Sequence, residues 1–579
     1  MAKLIEHFSR WIGIGLILIV ATAGSVPAQI NTGFDASTLS YVACNGRSGF
    51  RTSEAQQGNT NLNGDLDAFD NVLQVVDLTL TTIANVGVDA SGSLACGADL
   101  FAFGASEANE NNTDLNLDAD ELDTVLHVYN AATTTTSNIG FAVSNIAASS
   151  SLVAFAVPEA SQGGAGGTDL NGDMDKLDQV LHVYDPVTTL TTNVGIDASG
   201  DIKVDGANVA FLVSEAAQNN ADLNGDMDAT DMVLHTYEAA GPTLSNSGRQ
   251  AEAGIVFDGD VVAFLVSESA QNLSLNPDSD KSDFVLTLYC LPSSSCVSTG
   301  LINLAVAAPP AVGTDRGFAF EGDIVAISVP ERAQNSVDLN NDTDRSDRVV
   351  HVYRISTGTM TNTEYAARRS PRVAGTFVGF AVQESKQART DLNGDLDKGD
   401  TVAHIYDAVA DTVTNTGRAV GVACSNGEIP TLGDCFEMRN DMLILQTDER
   451  RQARTDLNGD TDAKDLVIEF WRPSTGVLTN TGIAAERSSG LVLGTSIAAF
   501  RASERREDAD FNGDSDKRDP IMAVYDTGAM SLTELSTQAE PFFLVDGDTV
   551  VFRTEEGADA ADLNSDVDLD DNVLQYQGF

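Results

Sequence analysis

One acidic ten-residue segment recurs ten times along this chain, and no other feature restricts the fold as much. Its clearest copy runs from Asp169 to Asp178, with oxygen-bearing side chains at positions 1, 3, 5, 7 and 10. The copies begin at Asn61, Asp114, Asp169, Asp222, Ser274, Asp338, Asp391, Asp456, Asp510 and Asp562. Positions 3, 5, 7 and 10 are Asn, Asp, Asp and Asp in all ten. Successive starts lie 53, 55, 53, 52, 64, 53, 65, 54 and 52 residues apart. Fixed self-similarity at that period marks a tandem array of one supersecondary unit. The unit is too short for a separate immunoglobulin-type domain and fits a four-stranded propeller blade with one long loop.

Side-chain oxygens at alternate positions let a curled loop aim them at one point. Position 4 is Gly in six copies (Gly64, Gly172, Gly225, Gly394, Gly459, Gly513) and Asn341 in a seventh, types that accept the positive φ of a sharp turn. Ca²⁺ takes about six to eight hard oxygen ligands, whereas Mg²⁺ holds to a strict octahedron and keeps its waters. Zinc is disfavoured because the loops contain neither Cys nor His. The expected ligands are Asn61, Asn63, Asp65, Asp67 and Asp70 in the first loop, and Asp114, Asn116, Asp118, Asp120 and Asp123 in the second. The third and fourth supply Asp169, Asn171, Asp173, Asp175, Asp178, and Asp222, Asn224, Asp226, Asp228, Asp231. The fifth begins with Ser274 and contains Pro277, so it offers four: Asn276, Asp278, Asp280 and Asp283. The sixth and seventh give Asp338, Asn340, Asp342, Asp344, Asp347, and Asp391, Asn393, Asp395, Asp397, Asp400. The last three give Asp456, Asn458, Asp460, Asp462, Asp465; Asp510, Asn512, Asp514, Asp516, Asp519; and Asp562, Asn564, Asp566, Asp568, Asp571. The loop resembles the calcium loops of EF-hands, dockerins and integrin-type propeller blades. It lacks the EF-hand Glu at position 12. It also leads into a strand-like run, Val180 to Asp185, where a dockerin loop leads into a helix.

Aspartates at the loop positions account for 38 of the 86 acidic residues, so the net charge of −53 is largely a metal-site charge. Ten bound divalent ions would bring it to −33. Such a surface excludes nucleic acid as a partner. Disorder is excluded too, because 42% of the residues are hydrophobic and fall in regular runs. Basic residues are unevenly placed. Between Thr52 and Gly248 there are only Lys176 and Lys203, while Arg450, Arg451, Arg505 and Arg506 sit just ahead of acidic loops. Local pairing with the loop is the expected role of these arginines, with an anion-binding face as the other reading.

In the fourth repeat, Asp201–Gly206 reads as an inner strand with its turn, and Asn208–Glu215 as a second strand. The loop follows, then Met232–Glu238 as a third strand and Pro242–Asn246 as the outer one. This order resembles blades of the TolB-like propeller family, with an integrin-like calcium loop added between the second and third strands. The resemblance spans about residues 31–579 and implies an all-β propeller of about ten four-stranded blades. Two five-bladed propellers are the alternative, with a break within 300–315. The last repeat ends in its third strand at Asn572–Gln575. Ile30–Asp35 matches the segment from Thr192 to Asp197 that closes a fourth strand. The N-terminal segment is therefore expected to complete the tenth blade and remove the free sheet edges.

Residues 1–28 carry Lys3 and Arg10, an apolar stretch from Trp11 to Ala23, and a small-residue site ending at Ala28. This reads as a secretory signal, with residues 29–579 as the array. The expected location is secreted, cell-surface or periplasmic, with no membrane span after cleavage. Six cysteines then suggest Cys44–Cys96, Cys290–Cys296 and Cys424–Cys435 pairs, on position alone. His127, His182, His235, His351 and His404 share one place in the third strand, which marks a blade-packing residue rather than a catalytic one. A Glu closes the second strand at Glu54, Glu107, Glu159, Glu215, Glu268, Glu331, Glu384 and Glu504, as an outer-shell ligand or simple blade polarity. No nucleophile elbow, phosphate loop or zinc motif appears. The expected role is a monomeric, non-enzymatic module that binds a protein or glycan at a surface or acts as a scaffold. The alternative is an extracellular hydrolase, lyase or quinone-type dehydrogenase.

Overall fold

The computed structural model describes residues 29–36, 41–164, 166–294, 296, 299–309, 316–421, 436–487 and 490–579. Ten four-stranded antiparallel sheets follow one another, each matching one sequence repeat. Blade two is representative: inner strand Leu94–Gly97, second strand Leu100–Ser106, third strand Thr124–Asn130, outer strand Thr135–Ala142. The second and third strands are buried nearly end to end, because adjacent blades cover both of their faces. That explains their unbroken apolar runs, which differ from the alternating pattern of a half-solvated strand. Outer strands face solvent on one side and are largely polar.

Each inner strand touches the next, and Tyr41–Cys44 of blade one touches both Leu94–Gly97 of blade two and Phe543–Asp546 of blade ten. The blades thus form one ring of ten rather than two rings of five. A single core cluster, including Leu286 and Leu288 of blade five and Val325 and Ile327 of blade six, runs through the point where a break was the alternative. Ring closure follows the sequence expectation. Ile30–Asp35 pairs with Asn572–Gly578, with Ile30 opposite Tyr576 and Asn31 opposite Gln575. The tenth sheet is therefore built from both ends of the chain.

Each third strand carries its histidine or equivalent opposite an apolar residue of the second strand, as with His127 and Phe103. All five histidines are buried, and Nδ1 of each lies 3.0–3.2 Å from the carbonyl oxygen two residues earlier. Burial pushes their pKa values down, to about 4 for His235 and His404. They are packing residues of the blade. The outer strand slips register beside them. There Gly140 (φ +74°) donates its N–H to Asn138 Oδ1 at 2.8 Å, so the Asn-x-Gly of this outer strand, repeated at Asn193 to Gly195, forms a bulge.

Cys44–Cys96 ties the inner strands of blades one and two, and Cys290–Cys296 bridges the turn before the outer strand of blade five. The expected Cys424–Cys435 pair and the export segment 1–28 lie outside the described residues. No helix among the described residues is long and apolar enough to cross a membrane.

Candidate metal centres

The ten acidic loops all join a second strand to a third, so blade topology places them on one face of the ring. In blade three the loop is a stack of side-chain turns. Asn171 Oδ1 accepts from Asp173 N at 3.2 Å, Asp173 Oδ1 from Asp175 N at 3.0 Å, and Asp175 Oδ1 from Leu177 N at 2.9 Å. Each oxygen is held by the backbone two residues on, the local bonding that suits Asp and Asn to turns. Gly172 (φ +83°) and Met174 (φ +81°) take left-handed conformations that wrap the loop. Met174 consequently points outward and is 89% exposed.

Position 1 has a different part from the others. Asp169 Oδ1 accepts from Gly172 N at 2.6 Å and Oδ2 from Met174 N at 3.1 Å. Asp222, Asp391, Asp456, Asp510 and Asp562 repeat both bonds. Both carboxylate oxygens thus brace the loop. Asn61 keeps only the first bond, to Gly64 N at 2.6 Å, and its amide instead donates to Asp65 O at 2.9 Å. Ser274 Oγ donates to Asn276 O at 3.3 Å.

The glutamate closing the second strand belongs to the site. Glu159 Oε1 accepts from Leu170 N and Asn171 N, at 2.5 and 3.4 Å, and Oε2 accepts from Asp178 N at 3.3 Å. The glutamate is completely buried in every blade, including Glu449 and Glu556, which the sequence pattern does not single out. Hydrogen bonds to a charged group are worth about 1.5–3 kcal/mol each, so this carboxylate fastens the two ends of the loop together. The outer-strand Asn fastens its middle: Asn193 Nδ2 donates to Leu170 O at 2.8 Å, and Asn31 supplies the same bond to Leu563 O in the closing blade.

Carboxylates converge inside these frames. Glu54, Asp65, Asp67 and Asp70 offer oxygens within 4.8 Å of one another, as do Glu268, Asp278, Asp280 and Asp283, and Glu556, Asp566, Asp568 and Asp571. Position 3 reaches position 10 through Asn171 Nδ2 to Asp178 Oδ2, 2.8 Å. Several oxygens at these loop positions are buried with no hydrogen-bond partner, among them Asn116 Oδ1, Asn340 Oδ1 and Asp173 Oδ2. Unpaired buried oxygens are costly, and a hard cation would satisfy them. The position 10 aspartates carry the same mark. Burial, then neighbouring carboxylates, pushes Asp70 up to about 7, and burial raises Asp123 and Asp231 to about 6. Asp178, Asp283, Asp519 and Asp571 are raised for the same first reason. An all-oxygen donor set with crowded, buried negative charge fits Ca²⁺. The loop side chains at positions 1, 3, 5, 7 and 10 and the strand-end Glu are the residues that would surround it, and position 1 also braces the turn.

The loops also lie at the seams between blades. Asn116 Nδ2 donates to Ser161 O of the next blade at 3.3 Å, Asn276 Nδ2 to Ala333 O at 2.8 Å, and Asn564 Nδ2 to Gln56 O at 3.3 Å across the closing seam. In return, a Gln three residues after the strand-end Glu grips the outer strand of the previous blade. Gln218 Oε1 accepts from Asp197 N at 3.1 Å and Gln387 Oε1 from Ala366 N at 2.7 Å. The Glu-x-x-Gln recurrence is the signal in the sequence for this latch.

No family model and no curated protein matches the chain in sequence. Among solved structures, Porphyromonas gingivalis dipeptidyl peptidase 4 is 9% identical over 81% of this chain and 65% of its own, with a TM-score of 0.35. The tricorn protease is 9% identical over 90% of this chain, with a TM-score of 0.25, and TolB from Acinetobacter baumannii is 10% identical over 61%, with a TM-score of 0.22. The match covers 47% of the tricorn protease and 77% of TolB, so the chain spans about half the length of the former. At such scores none of these similarities bears on function. The propeller rests on its own ten sheets.

Proposed function

We propose that this chain is a secreted calcium-binding β-propeller that works as a surface-binding or scaffold module, with the ten-loop face as its contact surface. The observation that carries the reading is the repetition of one oxygen-only cradle along a single rim, each with the same backbone frame. Up to about ten ions would fill these loops and offset their charge. The rim presents large side chains to solvent: Leu66 is 90% exposed, Met227 90% and Leu396 92%. Rigid loops displaying apolar tips beside charged groups suit contact with a protein or glycan. The histidines, being buried and identically placed in five blades, do not form a singular catalytic centre.

Thermal melting in EDTA tests the metal reading. Extracellular calcium modules bind at about 10⁻⁴–10⁻³ M, and a site filled at tenfold excess over its Kd adds about 1.4 kcal/mol. Ten such sites together should move the melting temperature of a chain this size by about 10 °C. A melting curve identical in EDTA and in millimolar calcium would overturn it.

A further inference from the structure

We propose that Lys386, Arg451 and Arg506 set the ion affinity of the loops they face. They would divide the ten metal sites into seven that need a divalent cation and three, in blades six, seven and eight, that the protein itself partly compensates. This rests on the calcium reading above.

The three residues occupy one structural place, two residues after the strand-end Glu, and each reaches back across a seam. Lys386 Nζ lies 2.7 Å from Asp347 Oδ1, Arg451 Nη1 3.2 Å from Asp400 Oδ1, and Arg506 Nη1 2.7 Å from Asp465 Oδ1. The target in every case is the position 10 carboxylate of the preceding blade's loop. Each cation also touches the residue before it: Ser346 Oγ at 2.7 Å, Gly399 O at 3.4 Å and Lys464 O at 3.3 Å. In loop eight a second ligand position is paired as well, Asp462 with Lys464 at 2.6 Å.

The other seams provide a control within the same molecule. At five seams the backbone at this place accepts from the position 3 Asn whatever its side chain, at Ser161, Ala333, Lys386, Arg451 and Gln56, while at the Arg506 seam Asn458 Nδ2 donates to Glu507 Oε1 at 3.2 Å. Among these five seams, each with a Gln at the next position, this side chain is what differs. Where it is neutral, the position 10 carboxylate has no basic neighbour from this place. Where it is basic, one oxygen of that carboxylate already faces a positive charge. A cation sharing a carboxylate with Ca²⁺ repels it at a few ångströms, which weakens binding by about tenfold or more. The same cation holds the seam when the ion is gone.

Equilibrium dialysis of calcium against the full chain tests this. The expected result is two classes, about seven tight ions and three at least about tenfold weaker. Replacing all three cations, with Lys386→Ala, Arg451→Ala and Arg506→Ala, should move the weak class into the tight one and lower the melting temperature in EDTA. Ser161→Lys should do the reverse at the seam between blades two and three, removing one tight ion and raising that melting temperature. This second variant keeps the test decisive if the triple variant fails to fold. Ten equivalent ions in the unaltered protein, or unchanged stoichiometry in Ser161→Lys, would overturn the division while leaving calcium binding intact. Absence of any bound calcium would overturn both.

Discussion

The seam between blades two and three and the seam between blades seven and eight share a backbone frame and differ in charge. In the first, Asp123 faces Ser161, whose carbonyl oxygen accepts from Asn116. In the second, Asp400 faces Arg451, whose carbonyl accepts the matching bond from Asn393 at 2.8 Å. Fold and metal dependence are thus separable in this molecule. The frame comes from the strand-end Glu, the Asn groups and a latch residue that is Gln in seven blades and Glu110, Glu507 or Asp559 in the others. The response to ion removal comes from one side chain per seam. The largest expected effect is regional. In EDTA, amide exchange should accelerate first in the loops of blades one to five, nine and ten, by at least about tenfold relative to loops six to eight, since exposed loops open at the low end of the stability range. Uniform acceleration around the ring would mean that the basic side chains do not shelter their seams.

The next effect is a reversal of pH dependence. Without metal, the position 10 aspartates have raised pKa values through burial, about 7 for Asp70 and about 6 for Asp400. A raised folded pKa gives stability that is present below the unfolded value, about 4, and lost as pH rises through 6–7. The buried histidines act oppositely, because their lowered pKa values remove stability as pH falls from about 6.5 towards 4. The aspartates are more numerous and should dominate. In EDTA the protein should melt at a higher temperature at pH 5.5 than at pH 7.5. With calcium, the ligands are held ionised and both groups lose stability on acidification, so the order inverts. Parallel pH profiles in EDTA and calcium would show that the raised aspartates are not where the ion acts.

Much of this architecture is legible in the sequence alone. The loops, their period, the strand order within a blade and the closing role of Ile30–Asp35 all follow from local pattern, because each repeat must bury its apolar strands against the next. What local pattern does not reveal are contacts between segments about twenty or more residues apart. Asn193 to Leu170 is one, and Gln218 to Asp197 another. Both involve polar residues that look like ordinary surface polarity until the outer strand folds back over the loop. Glu449 and Glu556 escape for a related reason. The residue before each is itself acidic, Asp448 and Glu555, so the sequence does not mark which acid ends the strand, yet their side chains land in the same buried place as the other eight. The basic residues ahead of the late loops are expected from sequence to pair locally with the loop. They do pair, but Lys386, Arg451 and Arg506 reach the loop of the blade before their own.

The smallest effect concerns position 1, where the sequence pattern suggests a ligand and the hydrogen bonds describe a brace. Asp169 holds two backbone N–H groups, Asn61 holds one, and Ser274 gives its hydroxyl to a carbonyl instead. Removing Asp169 with Asp169→Ala leaves Gly172 N and Met174 N without their acceptor, a cost of about 1–3 kcal/mol if they stay buried and less where water replaces it. The affinity of one ion should drop by about tenfold, since 1.4 kcal/mol corresponds to that factor. Ser274→Ala should change stability by less than about 0.5 kcal/mol, as for most surface substitutions. Asp169→Asn separates the two roles, because it keeps the Gly172 bond, as Asn61 does naturally, while removing the negative charge. If position 1 only braces the turn, Asp169→Asn should retain nearly full calcium affinity at that loop. A loss as large as that of Asp169→Ala would make the Asp169 carboxylate a direct ligand. Loops one and five, which lack it, would then be the weak sites of the arc that has no basic seams.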